Sequence, residues 1–144
     1  MNANNHFSLE FPSCSKNESF ARAVVASFVS QLDPTLDELN DIKTAVSEAV
    51  TNCIVHAYPD SIGKISVKGK LLPDNTVLLT IKDWGCGIPD VPKAREPMFT
   101  TGNEERSGMG FTIMESFMHQ VRVTSRIGKG TSVHMKRKIM KRGA

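Results

Sequence analysis

The spacing of apolar residues changes period along the chain, and each period predicts an element. Apolar and polar residues alternate over residues 6–11, which predicts a strand. Over residues 18–32 the apolar positions recur every four residues, which predicts a helix with Asn17 as its cap. Its apolar face would be formed by Phe20, Val24, Phe28 and Leu32. Asp33 and Pro34 should end it, because the residue before a proline avoids helical conformation.

A second helix is predicted from Thr35 to about residue 56 or 58. Thr35 and Glu38 match the capping box, in which a hydroxyl and a carboxylate three residues apart satisfy the first backbone N–H groups. The predicted apolar face consists of Leu39, Ile42, Val46, Ala49, Val50 and Cys53. Three polar residues recur every four positions and should border that face as one stripe: Glu48, Asn52 and His56.

Two hairpins and a third helix complete the pattern. Residues 64–72 and 76–83 form one predicted hairpin, and residues 121–125 and 131–136 form the other. Between them lie a polar segment, residues 88–107, and a helix over residues 108–118 with Met109, Ile113 and Phe117 on its apolar face. This order predicts one α/β domain over residues 1–144, a two-layer sandwich with helices on one face of a mostly antiparallel, mixed sheet.

The charge of the chain is unevenly distributed along the sequence. Lysine and arginine number 18 against 15 acidic residues, but residues 134–144 hold five of the basic residues and no acidic one. We therefore predict a solvated basic tail at residues 137–144, with phosphate contact as a minor alternative. A dedicated nucleic-acid binder is expected to carry a basic face on its folded domain, so no direct nucleic-acid partner is predicted.

The three cysteines Cys14, Cys53 and Cys86 are an odd number at wide spacing. This spacing matches neither a disulfide framework nor a zinc site, so we expect reduced residues of a cytoplasmic protein. The first residues lack the basic and apolar pattern of a targeting segment, and the apolar runs are too short to cross a membrane.

The candidate chemistry lies in two glycine motifs. Asp83 stands beside Gly85 and Gly87 at the end of a predicted strand, and its carboxylate could accept a hydrogen bond from the exocyclic amine of adenine. Gly108 and Gly110 would open the third helix, whose first N–H groups favour phosphates. The spacing does not fit a dinucleotide fingerprint. Each glycine pair taken alone is equally typical of a turn.

Four motifs together resemble those of the GHKL (Bergerat-fold) ATPases. The stripe Glu48, Asn52 and His56 resembles the N box, and residues 83–88, 108–110 and 128–131 resemble the three glycine boxes. Residues 17–22, 46–52 and 106–115 are similar to the small serine-protein kinases that act as anti-sigma factors, above all to the sporulation branch that inhibits sigma F. The resemblance implies the Bergerat fold with ATP and Mg²⁺ as cofactors.

The resemblance also implies roles for single residues. Glu48 would be the general base and Arg106 would stabilise charge on the γ-phosphate. Asn52 would bind Mg²⁺ through its amide oxygen. The ATP contacts would come from Asn52, His56, Asp83, Gly85, Gly87, Ile88, Thr100, Thr101, Ser107, Gly108, Met109, Gly110, Phe111 and Thr131. Arg22 would contact partner proteins, residues 102–106 would form a lid, and Trp84 and Cys86 would pack.

The leading hypothesis is a serine-protein kinase that inhibits a sigma factor, sigma F, and phosphorylates its anti-anti-sigma factor on serine. The resemblance further implies a homodimer, with residues 6–11 and the adjoining helix at its interface. A sibling kinase of the general stress sigma factor is the first alternative. A non-catalytic binding module clasped by ATP is the second, and a nucleic-acid module is the third.

Overall fold

The computed structural model describes residues 3–96 and 110–140. Its elements in chain order are β1 (Asn5–Pro12), α1 (Asn17–Val29) with a 3₁₀ turn (Ser30–Leu32), α2 (Leu36–Asn52) with a π-helical turn (Cys53–Ala57), β2 (Lys64–Leu71), β3 (Thr76–Asp83), α3 (Val91–Ala94), α4 (Gly110–Phe117), β4 (Gln120–Arg126) and β5 (Gly130–Lys138). Predicted sites at Thr100, Thr101, Arg106, Ser107, Gly108 and Met109, and the predicted lid, lie outside the described residues.

Five strands form one sheet in the order β1-β2-β3-β5-β4. Every described pair of neighbouring strands is antiparallel, so no mixed pairing occurs in this part of the chain. Helix α2 packs between α1 and α4, and these helices contact strands of the sheet. The prediction of an α/β sandwich is therefore confirmed. None of the described helices has the length and apolar character needed to cross a membrane.

Helix α2 forms as its sequence predicts. Thr35 Oγ1 accepts the Glu38 N–H at 3.0 Å, and Glu38 Oε1 accepts the Thr35 N–H at 2.9 Å, which completes the capping box. The predicted apolar face is buried, including Ile42, Val46 and Val50. These side chains form the centre of the core against the sheet.

The predicted apolar face of α1 is partly wrong, although Phe28 is buried, and that of α4 is wrong for Ile113 and Phe117. Buried positions of α1 are Ala21, Val25, Phe28 and Val29, whereas Phe20 is 48% exposed and packs at the rim, edge-on to Phe11. Asn17 does not cap the helix, because its Nδ2 donates to the Pro12 carbonyl at 3.0 Å instead. In α4 the buried residues are Phe111 and Met114, not Ile113 and Phe117. Helix α3 was not predicted within residues 88–107.

The predicted solvated tail is wrong for its first residues. β5 extends to Lys138, and Arg137 donates to Asp41 Oδ2 at 3.0 Å and to the Phe117 carbonyl. Ile139 is fully buried, and the Met140 N–H donates to Glu38 Oε2 at 2.8 Å. Residues 137–140 therefore belong to the folded domain, because their apolar and backbone groups find partners on α2 and α4. Residues 141–144 lie outside the described residues.

Candidate functional site

Asp83, the last residue of β3, is a buried carboxylate at the edge of the core, only 3% exposed. Its Oδ1 accepts the N–H of Gly85 at 3.0 Å and the N–H of Thr131 at 3.2 Å. Burial raises the pKa of Asp83, while hydrogen bonds from Gly85, Cys53 and Thr131 oppose that rise. Burying this charge is costly, and the N–H donors of Gly85 and Thr131, which come from two separate segments, offset part of that cost.

Cys53 is a buried residue whose side chain hydrogen-bonds this carboxylate. It lies in the π-helical turn and is buried, and burial, the Asp83 charge and the hydrogen bond to Asp83 all raise the pKa of its thiol. A thiol that keeps its proton can donate to Asp83. The sequence placed Cys53 only on the apolar face of α2, so its contact with the predicted site was missed.

The turn after Asp83 is held between two other segments. The Cys86 N–H donates to the Ala57 carbonyl at 3.0 Å, and the Cys86 carbonyl accepts the Gly128 N–H at 2.8 Å. Gly87 has φ +80°, and a Cβ there would lie 2.2 Å from the Arg126 carbonyl oxygen. Backbone approaches backbone so closely that only glycine fits at this point.

Ser125 connects this turn to β5. Its Oγ accepts the Ile88 N–H at 2.7 Å, lies 2.8 Å from Thr131 Oγ1 and donates to the Gly130 carbonyl at 3.0 Å. Sequence reasoning missed Ser125. The sequence offered only a weak signal, because Ser125 falls on the same face of β4 as the buried residues Val121 and Val123.

Glu48 and Asn52 meet the first residue of α4. A Cβ on Gly110 would lie 3.1 Å from Asn52 Nδ2, 3.3 Å from Asn52 Oδ1 and 3.4 Å from Glu48 Oε2. The predicted base and the predicted Mg²⁺ ligand are therefore brought together at the end of a helix whose N–H groups favour anions. His56 lies in the π-helical turn, where the wider winding interrupts the four-residue stripe.

The other predicted residues have diverse surroundings. Phe111 is buried in the core, and Arg22 lies on α1 with its Nε 3.2 Å from Glu18 Oε2.

Trp84 was expected to pack but is 41% exposed on the sheet face opposite the helices. The ammonium groups of Lys64 and Lys82 lie 4.2 Å and 4.9 Å from the centre of its ring. Cys86 is exposed, and its Sγ donates to the His56 carbonyl at 3.2 Å.

The fold is similar to that of two solved structures. The RsbU and RsbW domains of a Mycobacterium tuberculosis protein superpose with a TM-score of 0.70 at 18% identity, covering 94% of this chain and 33% of that one. The histidine kinase domain of a blue-light activated kinase from Erythrobacter litoralis superposes with a TM-score of 0.58 at 21% identity, covering 85% of this chain and 61% of that one. These likenesses establish the fold alone.

Sequence similarity to two relatives is much closer. The anti-sigma F factor of Geobacillus kaustophilus is 57% identical, over 95% of this chain and 94% of the relative. That of Caldanaerobacter subterraneus is also 57% identical, over 94% of each chain. The histidine kinase-like ATPase domain family matches residues 11–137. The chain therefore belongs to the anti-sigma F factor family, which is built on a histidine kinase-like ATPase domain.

Proposed function

We propose that the chain inhibits sigma F and, using ATP, phosphorylates a serine of the anti-anti-sigma factor. The observation that carries this proposal is the convergence of Glu48 and Asn52 on the first residue of α4, with Asp83 as a separate buried acceptor. An ATPase domain implies ATP binding, and the relatives' name supports sigma F as the client. A protein with that client acts in the cytoplasm.

Asp83 would recognise adenine. One carboxylate oxygen already accepts two backbone N–H groups, which fixes the plane of the carboxylate. A carboxylate can accept further hydrogen bonds, and the exocyclic amine of adenine is a suitable donor. Guanine carries a carbonyl oxygen at the equivalent position, so the same acceptor would favour ATP over GTP.

Glu48 and Asn52 would act at the phosphate end. The amide oxygen of Asn52 is a hard ligand suited to Mg²⁺, which takes most of its remaining ligands from phosphates and water. The described residues contain no cluster of three or more histidine, cysteine or acidic side chains that could hold a metal ion. Bound Mg²⁺ would neutralise charge on the phosphates. The N–H groups at the start of α4 would hold the same phosphates.

The reaction would be a phosphoryl transfer to a hydroxyl. Glu48 would remove the proton from the partner's serine, whose oxygen forms a bond to the γ-phosphorus while the bond from that phosphorus to the β-γ bridging oxygen breaks. The products would be phosphoserine on the partner and ADP, with the proton left on Glu48 and then lost to solvent. Arg106, outside the described residues, would stabilise the transferred charge.

The partner surface would lie on α1 and β1. Arg22 presents a partly exposed side chain on α1, where it could exchange Glu18 for a group on a sigma factor. β1 is an edge strand with one row of unpaired backbone groups, which favours pairing with a second copy in a homodimer. Both assignments rest on the resemblance to anti-sigma kinases together with this edge position.

Labelled ATP and Mg²⁺ with the anti-anti-sigma factor test the proposal. We expect label on a partner serine, and we expect Glu48→Gln to slow its transfer by roughly 10²–10⁴-fold with ATP affinity unchanged. Asp74→Asn, in the exposed turn between β2 and β3 and at the opposite end of β3 from Asp83, is the control and should transfer at the normal rate.

The alternatives give different results in the same experiment. An absence of label with intact ATP binding would contradict the kinase proposal and favour a module clasped by ATP. Normal transfer by the Glu48→Gln variant would remove Glu48 from the base role. A sibling kinase of the general stress sigma factor would retain that factor rather than sigma F in a pull-down with ATP.

A further inference from the structure

The sheet face opposite the helices carries many cationic side chains. Strand residues alternate between faces, and the positions facing the helices are buried, for example Val67, Ile81 and Val133. The alternate positions hold what we call the basic face: Lys64, Lys68 and Lys70 on β2, Lys82 on β3, Arg122 and Arg126 on β4, and Lys136 and Lys138 on β5.

Acidic residues scarcely balance these cations. Among the described strand positions on this face, the acidic side chain is Glu10 on β1, whose Oε1 lies 3.9 Å from Lys64 Nζ. A chain with a small net charge thus concentrates positive charge on one surface. The charge count along the sequence places the basic character in the tail and predicts no basic face on the folded domain. That expectation is wrong.

The cations are spread over four of the five strands. Register places Lys68 in one cross-strand row with Arg122, and Lys70 in the next row with Lys136. With strands about 4.8 Å apart, Lys68 and Arg122 are separated by roughly 14 Å and Lys70 and Lys136 by roughly 10 Å. His134 stands between the cations, and both burial and the Arg122 charge lower its pKa. The face therefore presents a broad positive field rather than a point site.

The side-chain types on this face indicate the kind of ligand. Protein interfaces are depleted of lysine and enriched in aromatic residues, whereas protein–DNA interfaces are much more positively charged. Proteins that bind single-stranded nucleic acid stack bases on several aromatic rings. Among the described residues in the strands and at the strand ends of this face, Trp84 is the one aromatic residue of the Phe, Tyr or Trp type. The ammonium groups of Lys64 and Lys82 already lie over its ring.

We propose that the basic face binds the phosphate backbone of duplex DNA, without reading its sequence. Lysine binds phosphate as a point charge, and neutralising several phosphates releases counterions from the duplex. The face lies across the sheet from Asp83 and Glu48, so DNA and nucleotide could be bound together. The proposal goes beyond the kinase and anti-sigma activities and does not depend on either.

Two double variants with the same loss of charge test this proposal. Lys68→Ala with Lys136→Ala removes two cations from the basic face, while Lys16→Ala with Lys43→Ala removes two from the helix side. Binding to a fluorescent duplex of random sequence is followed by anisotropy over a salt series. We expect the first variant to bind about tenfold more weakly, with a salt slope less steep by about two. The control should bind like the unaltered protein.

A conservative variant separates charge from folding. Lys68→Arg with Lys136→Arg should bind the duplex like the unaltered protein, and all variants should unfold at the same temperature. Failure of the unaltered protein to bind duplex, or equal losses in the two alanine variants, would overturn the proposal. Tighter binding of a poly-glutamate peptide would instead assign the face to an acidic protein, and tighter binding of the single strand would exclude the duplex.

Discussion

At the scale of single residues, Asp83 is a candidate binding group that is held at a cost to stability. Burial raises its pKa above the ordinary value. A raised folded-state pKa means that its contribution to stability is fully present below the unfolded pKa and is lost as pH rises through the folded pKa. Above that pKa the ionised carboxylate is therefore an unfavourable group for folding.

The variant Asp83→Asn should separate binding from stability. The asparagine oxygen can keep the N–H bonds of Gly85 and Thr131, but its amide NH₂ would face the adenine amine with a donor. We expect ATP affinity to fall by roughly 100-fold, the loss of one charge-assisted bond. The unliganded variant should be at least as stable at neutral pH, with its advantage growing as pH rises through the Asp83 pKa.

Calorimetric titration with ATP and urea unfolding over a pH series measure both effects. Asp60→Asn, in an exposed turn, is the control and should leave both unchanged. Full ATP affinity in Asp83→Asn would mean that adenine binds elsewhere. A variant less stable than the natural protein at neutral pH would contradict the stated cost of the charge.

At the scale of elements, Gly128 in the β4–β5 turn and Gly130 at the start of β5 have different requirements. Gly128 has φ +76° and open space around an added Cβ, so Gly128→Ala meets backbone strain alone, about 1–2 kcal/mol. Gly130 has φ +115°, and its added Cβ would lie 2.1 Å from the Asp83 carbonyl oxygen. Gly130→Ala must therefore displace the end of β3 that carries the candidate adenine acceptor.

We expect Gly130→Ala to lower the free energy of unfolding by more than about 3 kcal/mol, because strain and a backbone clash add. ATP affinity should fall with it, while Gly128→Ala should keep nearly full affinity. Urea unfolding and ATP titration of the two variants provide the measurement. Equal effects on ATP affinity would show that the β4–β5 turn does not position Asp83.

Local chemistry explains which elements were predictable. The capping box of Thr35 and Glu38 and the hairpin alternation depend on neighbouring residues, so the sequence identifies them directly. The predicted apolar face of α1 was correct for Phe28 but wrong for Phe20, because both fit a helical period and the sheet decides which positions are buried. The π-helical turn at Cys53–Ala57 had no local signal.

The same distinction applies to the candidate site. Glu48 and Asn52 were identifiable from their spacing, and the structure brings both side chains close to Gly110. Cys53 and Ser125 were missed, because one looks like a core residue and the other like an ordinary strand serine. Their contacts with the Asp83 region arise only when α2, β3 and the β4–β5 hairpin are packed together.

At the scale of the whole molecule, the last described residues tie the sheet to the start of α2. Glu38 Oε2 accepts the Met140 N–H while Oε1 completes the capping box. Burial alone would raise the pKa of Glu38, but hydrogen bonds from Met140 and Thr35 and the charge of Arg137 together lower it. The contribution of Glu38 to the stability of the fold is therefore present above its unfolded-state pKa and is lost as pH falls through its folded-state pKa.

Two neighbouring apolar residues can test whether this end of the chain belongs to the domain. Ile139 is fully buried, whereas Met140 is 69% exposed, and truncating either side chain leaves the Met140 N–H in place. Ile139→Ala should lower the free energy of unfolding by about 2–5 kcal/mol, through lost burial and a residual cavity. Met140→Ala should change it by less than about 0.5 kcal/mol.

Urea unfolding of both variants at neutral pH distinguishes a docked segment from a solvated one. If the tail were solvated, neither substitution would change the free energy of unfolding, because neither side chain would be buried. A docked segment makes the effects differ, and it also couples Ile139 to Glu38 through Met140. Glu38→Gln should then cost less in the Ile139→Ala background than alone, because the loosened end no longer holds the Met140 N–H against α2.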